Sequence, residues 1–396
     1  MSSSINAVKA ASATSRKPNG QDAVREACEF ALKNSSLNRA DWALIFASVY
    51  YEGEYKRMLC KCKEILKTDR IVGCSALGIL TEQGEINDPP VLALLVGSSS
   101  EMEIKPFFIP ELERGGRFIA EEIIENIPSN CKSVVLFPDI FHFDSDPFFE
   151  VLNDYNQKRE EPLQIVGGAP SSENPNCGTV QFAGNEVACG AISGFYLCNS
   201  FSPRVAVTQA CKLITETMEI TASEGNWILE LDNKPAFAVL REKLPEPIWK
   251  DMGILLRSIL LSFPADESLP LNEKNFLVRN IAGIDQANEI IACGGSIKSG
   301  MKIAFALRNP DSARDHLKEI LQNLKEDFQN TTPQFGLYFN CCARGKDLYG
   351  FGDNDISYIV KELNSFPLIG LSSFAEIGPI AKKSFLQAYT GVLMVT

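Results

Sequence analysis

Apolar positions along this chain fall in blocks, and one arrangement of blocks occurs twice. Ala43-Leu44-Ile45-Phe46-Ala47 has no polar position, as a strand buried on both faces requires. Tyr55, Met58, Leu59, Cys62, Ile65 and Leu66 then follow at helical spacing, and Ile71-Val72-Gly73-Cys74-Ser75 closes the block. About three hundred residues later Phe335-Gly336-Leu337-Tyr338-Phe339 opens a second copy. Ile356, Ile359, Val360 and Leu363 supply its helix, and Leu368-Ile369-Gly370-Leu371-Ser372 closes it. A connection of this length suits a parallel crossover rather than a hairpin. The two copies predict a pseudo-duplicated protein with equivalent glycine-bearing strand ends.

Other patterns fill the intervals. Helices are predicted over Gln21 to Lys33, Arg117 to Ile127, Pro147 to Asn156, Ala236 to Lys243 and Ser312 to Phe328. The Arg117 helix has Phe118, Ile119, Ile123, Ile124 and Ile127 as its apolar stripe, and Asp146 before Pro147 reads as an N-cap. Strands are predicted at Val91 to Gly97, Ser133 to Phe137, Gln164 to Val166, Val205 to Thr208, Glu289 to Ala292, Lys302 to Ala306 and Gly391 to Val395. Glu82 to Pro90 is turn-like. Hairpins are predicted within Ala183 to Asn199 and around Glu224-Gly225-Asn226. The fold class is therefore mixed, α/β before residue 200 and α+β after it. The expectation is a two-part, pseudo-duplicated module with mixed sheets flanked by helices.

Composition narrows the function. A formal net charge of −12 argues against a nucleic-acid binder or an anionic-membrane partner. The apolar runs Trp42 to Ala47 and Val91 to Val96 are far short of the ~18–20 residues of a bilayer span. Twelve cysteines lie mostly inside apolar patterns, and none forms a zinc-type CxxC pair. That usage points to a reducing compartment. The Ser/Ala-rich first twenty residues read as a tail, or less well as a targeting segment.

Four stretches carry a family resemblance in the second half: Leu229-Glu230-Leu231-Asp232-x-x-Pro235-Ala236, Arg279-Asn280-Ile281, Phe339-x-Cys341-x-x-Arg344-Gly345, and Glu376-Ile377-Gly378-Pro379. Three carry it in the first: Val72-Gly73-Cys74-Ser75-Ala76-x-Gly78, Leu136-Phe137-Pro138-Asp139, and Val166-Gly167-Gly168-Ala169. In this order and spacing the chain resembles the FIST family, from about Asp41 to the C-terminus. Ala343 and Ala375 stand where that family usually has glycine, and no F-box pattern precedes the match. The division that follows is a tail and helix over 1–40, a FIST N-like α/β domain over 41–200 and a FIST C-like α+β domain over 201–396. The resemblance implies a cytoplasmic sensory module of signal transduction that binds a small polar ligand, amino acids being the class usually proposed. No cofactor is implied, and a signalling protein is the expected macromolecular partner.

The candidate ligand-binding residues are Gly73, Cys74, Ser75, Cys341, Arg344, Gly370, Ser372 and Glu376. A strand ending in Gly-x-Ser offers backbone N–H groups and a hydroxyl to an anionic oxygen, although such glycines also serve tight packing. Arg344 and Glu376 each follow a strand of the second copy, suited to a carboxylate and an ammonium respectively, or to one another as an ion pair. Asp139, His142, Asp144 and Asp146 form a polar cluster, which reads as a solvated loop or as a cation site. Gly294 to Gly300 lacks the phosphate-loop order and reads as a turn. No recognised catalytic constellation is present, so the sequence leans away from an enzyme. The alternatives are a protein-binding adaptor of the ubiquitin-ligase substrate-receptor type, and an enzyme using Cys74 or Cys341 as nucleophile or Glu376 as acid/base.

Overall fold

The structure, a computed structural model, describes residues 8–172, 178–199, 203–329 and 331–396. The chain forms two compact units. The first takes residues 1–208, 317–379 and 390–396; the second takes 209–316 and 380–389. The expected boundary near 200 falls at residues 200–202, which lie outside the described residues.

Two sheets form the first unit. One runs Lys9–Ser15, Leu92–Ser98, Trp42–Ser48, Ile71–Ala76, Val180–Ala183, Glu186–Cys189 in spatial order. The main path of the other runs Arg204–Gln209, Thr390–Val395, Gly336–Cys341, Leu368–Ile380, Gln164–Pro170, Cys131–Pro138, Ile192–Asn199, Met102–Ile109. Both predicted crossovers are present and parallel. Ala43 to Ser48 pairs with Ile71 to Ala76, and Gly336 to Cys341 with Leu368 to Ser373. Each first strand has an antiparallel strand on its other side, Leu92–Ser98 in one copy and Thr390–Val395 in the other. The pseudo-duplication thus extends to the neighbouring strands.

A third parallel crossover, not marked in the sequence reading, joins Cys131–Pro138 to Gln164–Pro170 through the helix Ser145–Gln157. The three share one local rule. Each second strand carries a glycine near its start, Gly73 and Gly370 at the third position and Gly167 at the fourth. A Cβ on these would stand 1.7 Å from the Ile45 carbonyl oxygen, 2.0 Å from that of Leu136 and 1.9 Å from that of Tyr338. In each case the blocking carbonyl belongs to the residue in register across the pair. These glycines let two parallel backbones approach.

The sheets face each other across the largest core. Phe46 and Phe339 both pack on Phe137, with ring centroids 5.3 and 5.8 Å apart. The outer face of the first sheet is covered by Gly20–Ser35 and Tyr55–Leu66, through Val24, Ala27, Met58 and Leu59. Leu317, Leu321 and Leu324 of Pro310–Asp327, with Ile356 and Ile359 of Asn354–Leu363, cover the second sheet. Burial on both faces explains why the strand Trp42–Ser48 reads as continuously apolar.

The second unit is built on a closed barrel of six strands: Met218–Glu224, Trp227–Leu231, Ile290–Cys293, Leu277–Asp285, Ile259–Phe263 and Lys302–Arg308, the last pairing with both its predecessor and the first. Ile220, Ile228, Leu261 and Phe305 fill it, and Phe237 and Leu240 of the helix Ala236–Lys243 pack on the same core. Closure removes the exposed edges of the hairpin predicted around Glu224-Gly225-Asn226. Residues Gly294 to Gly300 form turns outside the strands.

Several expectations need correction. Lys9–Ser15 is not a tail but an edge strand paired with Leu92–Ser98. The turn-like stretch Glu82 to Pro90 contains a short strand, Gly84–Ile86. Phe118 is not on the buried stripe of its helix; it is 65% exposed, while Ile119, Ala120 and Ile123 face inward. Asp146 is not an N-cap: the helix starts at Ser145, so Asp146 lies in its first turn, where its charge suits the helix dipole.

Candidate ligand site

The four strands of the two original crossovers converge within the first unit, three of them at their carboxyl ends. Ser48 and Val49 end one strand, and Ala76, Leu77 and Gly78 follow its partner. Asn340, Cys341 and Cys342 end the third, and Ser372 comes from the fourth. Together with Glu85, Asn87, Pro89, Arg344, Gly345, Lys346 and Asp347 they enclose a cavity of about 320 Å³. Carboxyl ends of strands are the usual location of ligand crevices in α/β sheets.

One short hairpin completes this wall. After Ile71–Ala76 the chain leaves the first sheet, and Ile79–Thr81 pairs antiparallel with Ile369 to Leu371 of the second. The Ser372 N–H donates to the Gly78 carbonyl at 2.9 Å where the two meet. The hairpin turns through Glu82 and Gln83 and returns as Gly84–Ile86, where the Gly84 φ of 135° favours glycine, bringing Glu85 to the cavity. The Asp353 carboxylate accepts from the Glu85 N–H and holds the hairpin against the start of Asn354–Leu363.

The charged centre is Arg344 with Asp355. Both side chains are 0% exposed. Arg344 Nε and Nη2 donate to Asp355 Oδ2 at 3.0 and 2.9 Å, and Nη2 also donates to the Tyr349 hydroxyl at 2.9 Å. Tyr338 donates to the same Asp355 oxygen at 2.7 Å, and Asn354 Nδ2 donates to Oδ1 at 3.0 Å. Burial alone would raise the Asp355 pKa, but the guanidinium and these donors outweigh it and hold the carboxyl below its ordinary value. Burial opposes the Arg344 charge, and Asp355 overrides it. Arg344 Nη1 is different. It is buried, has no hydrogen-bond partner, and belongs to a residue that lines the cavity. An orphaned guanidinium N–H is costly unless something accepts from it.

Three further groups set the character of the walls. Burial, then the carboxylates of Asp355 and Asp353, push Glu85 up to about 7, while a hydrogen bond with Asn340 pulls the other way. Lys346 and Asp347 bring one charge of each sign. Cys341 is buried and Cys342 exposed. A hydrogen bond from the Cys341 thiol lowers the Cys342 pKa against the effect of burial.

Of the residues singled out in the sequence, Cys341, Arg344 and Ser372 line this cavity. Gly73 and Gly370 are occupied in strand packing. Cys74 is buried with its thiol pushed up by desolvation, and Ser75 Oγ accepts from the Val180 N–H at 3.0 Å. Glu376 does not pair with Arg344. Its carboxyl accepts from Ser373 Oγ at 2.6 Å and from the hydroxyl and N–H of Thr390 at 2.8 and 3.2 Å. Burial, then neighbouring Cys341, raise its pKa well above the usual range. Asp139 is buried and accepts from the N–H groups of Phe141, Thr179 and Gly190, which makes it a loop organiser. His142 Nδ1 stands 3.4 Å from it, and His316 Nδ1 accepts from the Gln209 N–H. Among the described residues no group of three or more His, Cys, Asp or Glu side chains is arranged to hold a metal ion. Sequence reasoning missed Glu85, Asn87, Asn340, Cys342, Lys346 and Asp355. Asp355 had one legible signal, an acid in the first turn of a predicted helix.

Residues 41–234 match the FIST N domain, and residues 236–379 match the FIST C domain. The chain belongs to the FIST family. FIST domains are associated with signal transduction. The chain is similar along nearly its whole length to uncharacterized mycobacterial proteins. One, from Mycobacterium tuberculosis, is 25% identical over 379 residues, covering 95% of this chain and 96% of the relative. Another, from Mycobacterium bovis, is 24% identical over 376 residues, covering 94% and 95%. The FIST N match contains the first and third crossovers and the Glu85 hairpin. The FIST C match contains the second crossover, Arg344 and Asp355. The cavity thus draws on both family regions. Among the described residues no helix is long and apolar enough to cross a membrane.

Proposed function

We propose that this FIST protein is a sensory module of signal transduction whose first unit binds a small polar metabolite bearing a carboxylate, an amino acid being the first candidate. The observation behind this reading is Arg344 Nη1, buried at the cavity wall without an acceptor. Two of the three guanidinium nitrogens are fixed by Asp355 and Tyr349, so the third is held in one direction. A ligand carboxylate that accepts from it satisfies a donor the protein leaves open, and such charge-assisted bonds are the strong ones. Glu85 and Asp347 offer negative charge for an ammonium on the same ligand. They take the role expected of Glu376. The signalling output then runs through a protein partner that distinguishes the ligand-bound form.

A thermal-shift screen against amino acids and other small carboxylates tests this reading. A ligand at ~100 times its dissociation constant adds ~2.7 kcal/mol, a rise of a few degrees for a chain of this size. Arg344→Lys keeps a cation beside Asp355 and removes the Nη1 donor, and exposed Lys346→Ala leaves the core untouched. The expected result is a shift that Arg344→Lys abolishes and Lys346→Ala reduces. A shift unaffected by either variant places the ligand elsewhere. No shift from any carboxylate, with protein first stripped by unfolding and refolding, contradicts the reading.

A further inference from the structure

Cations at the two ends of the helix Tyr55–Leu66 differ in what holds them there. Tyr55, Met58, Leu59, Cys62 and Leu66 face the core, so the basic side chains of the helix lie on its outer side. Lys63 in the last turn and Lys67 at the C-cap stand where the helix dipole favours positive charge. Lys56 and Arg57 stand in the first turn, where it opposes them, and that turn holds no acid. Both are exposed, and neither has a hydrogen bond or ion pair among the described residues. The acids nearby are engaged elsewhere. Glu64 pairs with Lys61 and Asp22 with Arg25, while Glu54 accepts from the Gly20 N–H at 3.0 Å and gives the helix no side-chain cap. Glu52 remains, exposed in the preceding turn. A local preference broken with no compensating contact inside the chain is expected at positions kept for function.

The surface around these two residues is concave. Gln21 and Gly53 join Lys56, Arg57, Lys61 and Glu64 in lining an open depression of about 420 Å³. Three cations thus face one carboxylate, in a chain of net charge −12. Tyr50, 51% exposed, stands in the turn Val49–Tyr51 just before it, and Tyr and Arg are the side chains that most often anchor protein interfaces. The same turn leads back to the ligand cavity, which Ser48 and Val49 line. The Tyr55 hydroxyl, from the first residue of the helix, donates to the Ser48 carbonyl at 2.9 Å. We propose that the start of Tyr55–Leu66 is a docking surface for an acidic segment of a partner protein, with Lys56 and Arg57 as its charged anchors. Charge complementarity selects this occupant. A short acidic peptide fits within the basic depression, whereas a nucleic acid or an anionic membrane would extend its charge over the acidic remainder of the chain. The proposal deepens the sensory reading by giving the chemistry of the partner, and its signalling role rests on that reading; the docking itself does not.

Fluorescein-labelled octaglutamate is the probe, used at low ionic strength where exposed charges are little screened. Fluorescence anisotropy gives its affinity, and zero-length carbodiimide coupling followed by peptide mapping gives its position. The expected result is binding that weakens with salt, with amide links at Lys56 and Lys61 ahead of the other lysines. Lys56→Glu combined with Arg57→Glu is expected to weaken binding at least about tenfold, because like charges then meet. Lys234→Glu combined with Lys243→Glu, exposed in the second unit, makes the same change in net charge and should alter binding by less than about twofold. Acids suit the first turn of a helix, so the Lys56, Arg57 variant should keep or raise its unfolding midpoint, and its loss of binding is then not a loss of folding. No binding of octaglutamate, coupling first at other lysines, or an equal loss in both double variants overturns the proposal. Tighter binding of a single-stranded octauridylate also overturns it and makes the surface a nucleic-acid site. The two readings fail separately. A carboxylate that stabilises the parent to heat while octaglutamate does not bind removes the docking surface and leaves the sensor. Octaglutamate coupled at Lys56 with no carboxylate shift leaves the docking surface and removes the sensor.

Discussion

Arg344 and Asp355 meet at 2.9 Å with both side chains fully buried, one from the loop after a strand and the other from the first turn of Asn354–Leu363. The pair ties the end of the first strand of the second crossover to the helix of that crossover, and it leaves one buried guanidinium nitrogen without a partner. Its cost and its use are therefore linked.

Removing one partner strands a buried charge. Asp355→Ala is expected to destabilise the protein by about 3–5 kcal/mol in urea unfolding. The double variant Arg344→Met, Asp355→Leu is expected to recover most of that loss, because neither charge then remains to be solvated. The same double variant should lose ligand binding. A single Asp355→Ala loss below about 1 kcal/mol would show that the pair is solvated in solution.

The three crossover glycines are expected to behave alike. Gly73→Ala and Gly370→Ala place a methyl within 2 Å of a carbonyl oxygen, at 1.7 and 1.9 Å, so the paired strands must part. Each should cost at least about 1–3 kcal/mol, the scale of overpacking. Gly167→Ala, at 2.0 Å, belongs with them. Gly283→Ala is the control, since its nearest neighbour would be the Ala292 Cβ at 4.0 Å. It should be close to neutral in the same unfolding experiment.

Glu85 gives a pH dependence of definite sign. Its folded pKa is about 7 against an ordinary value of 4.5. Between these values the folded protein holds a proton that the unfolded chain has released, so stability falls as pH rises from about 4.5 to 7 and is flat with respect to this group above that. Glu85→Gln removes this slope. The variant should gain on the parent by about 1–2 kcal/mol between pH 5 and pH 8, after discounting for partial exposure. Asp355 has the opposite sign: its depressed pKa contributes stability above about 4 that is lost on acidification. Unfolding midpoints across this range check both.

Much of the first unit was legible because its strands are buried on both faces and therefore write continuous apolar runs, as at Trp42–Ser48 and Gly336–Cys341. The third crossover is less legible because the apolar run of its second strand, Gln164–Pro170, breaks at Gly167-Gly168, a pattern that ordinarily ends a strand. Lys9–Ser15 was hidden by composition: alanine and serine make poor strand signals, and pairing with Leu92–Ser98 decides the matter. Phe118 shows the reverse, an apolar residue at helical spacing that the fold leaves in solvent. Phe118→Ser should change stability by less than about 0.5 kcal/mol, against about 3–5 kcal/mol for Phe148→Ala in the core. In the cavity, Cys341, Arg344 and Ser372 were found because they end predicted strands. Glu85 and Asp355 were not, because their meeting depends on a hairpin that crosses from one sheet to the other and on tertiary pairing with no period in sequence.

The most direct test is a crystal structure of the protein with the carboxylate that stabilises it most in the thermal screen. The expected result is a carboxylate oxygen accepting from Arg344 Nη1 at about 2.7–3.2 Å, within the cavity bounded by Glu85, Asn340, Lys346 and Ser372. A ligand seated elsewhere, with Nη1 still lacking an acceptor, would contradict the carboxylate site.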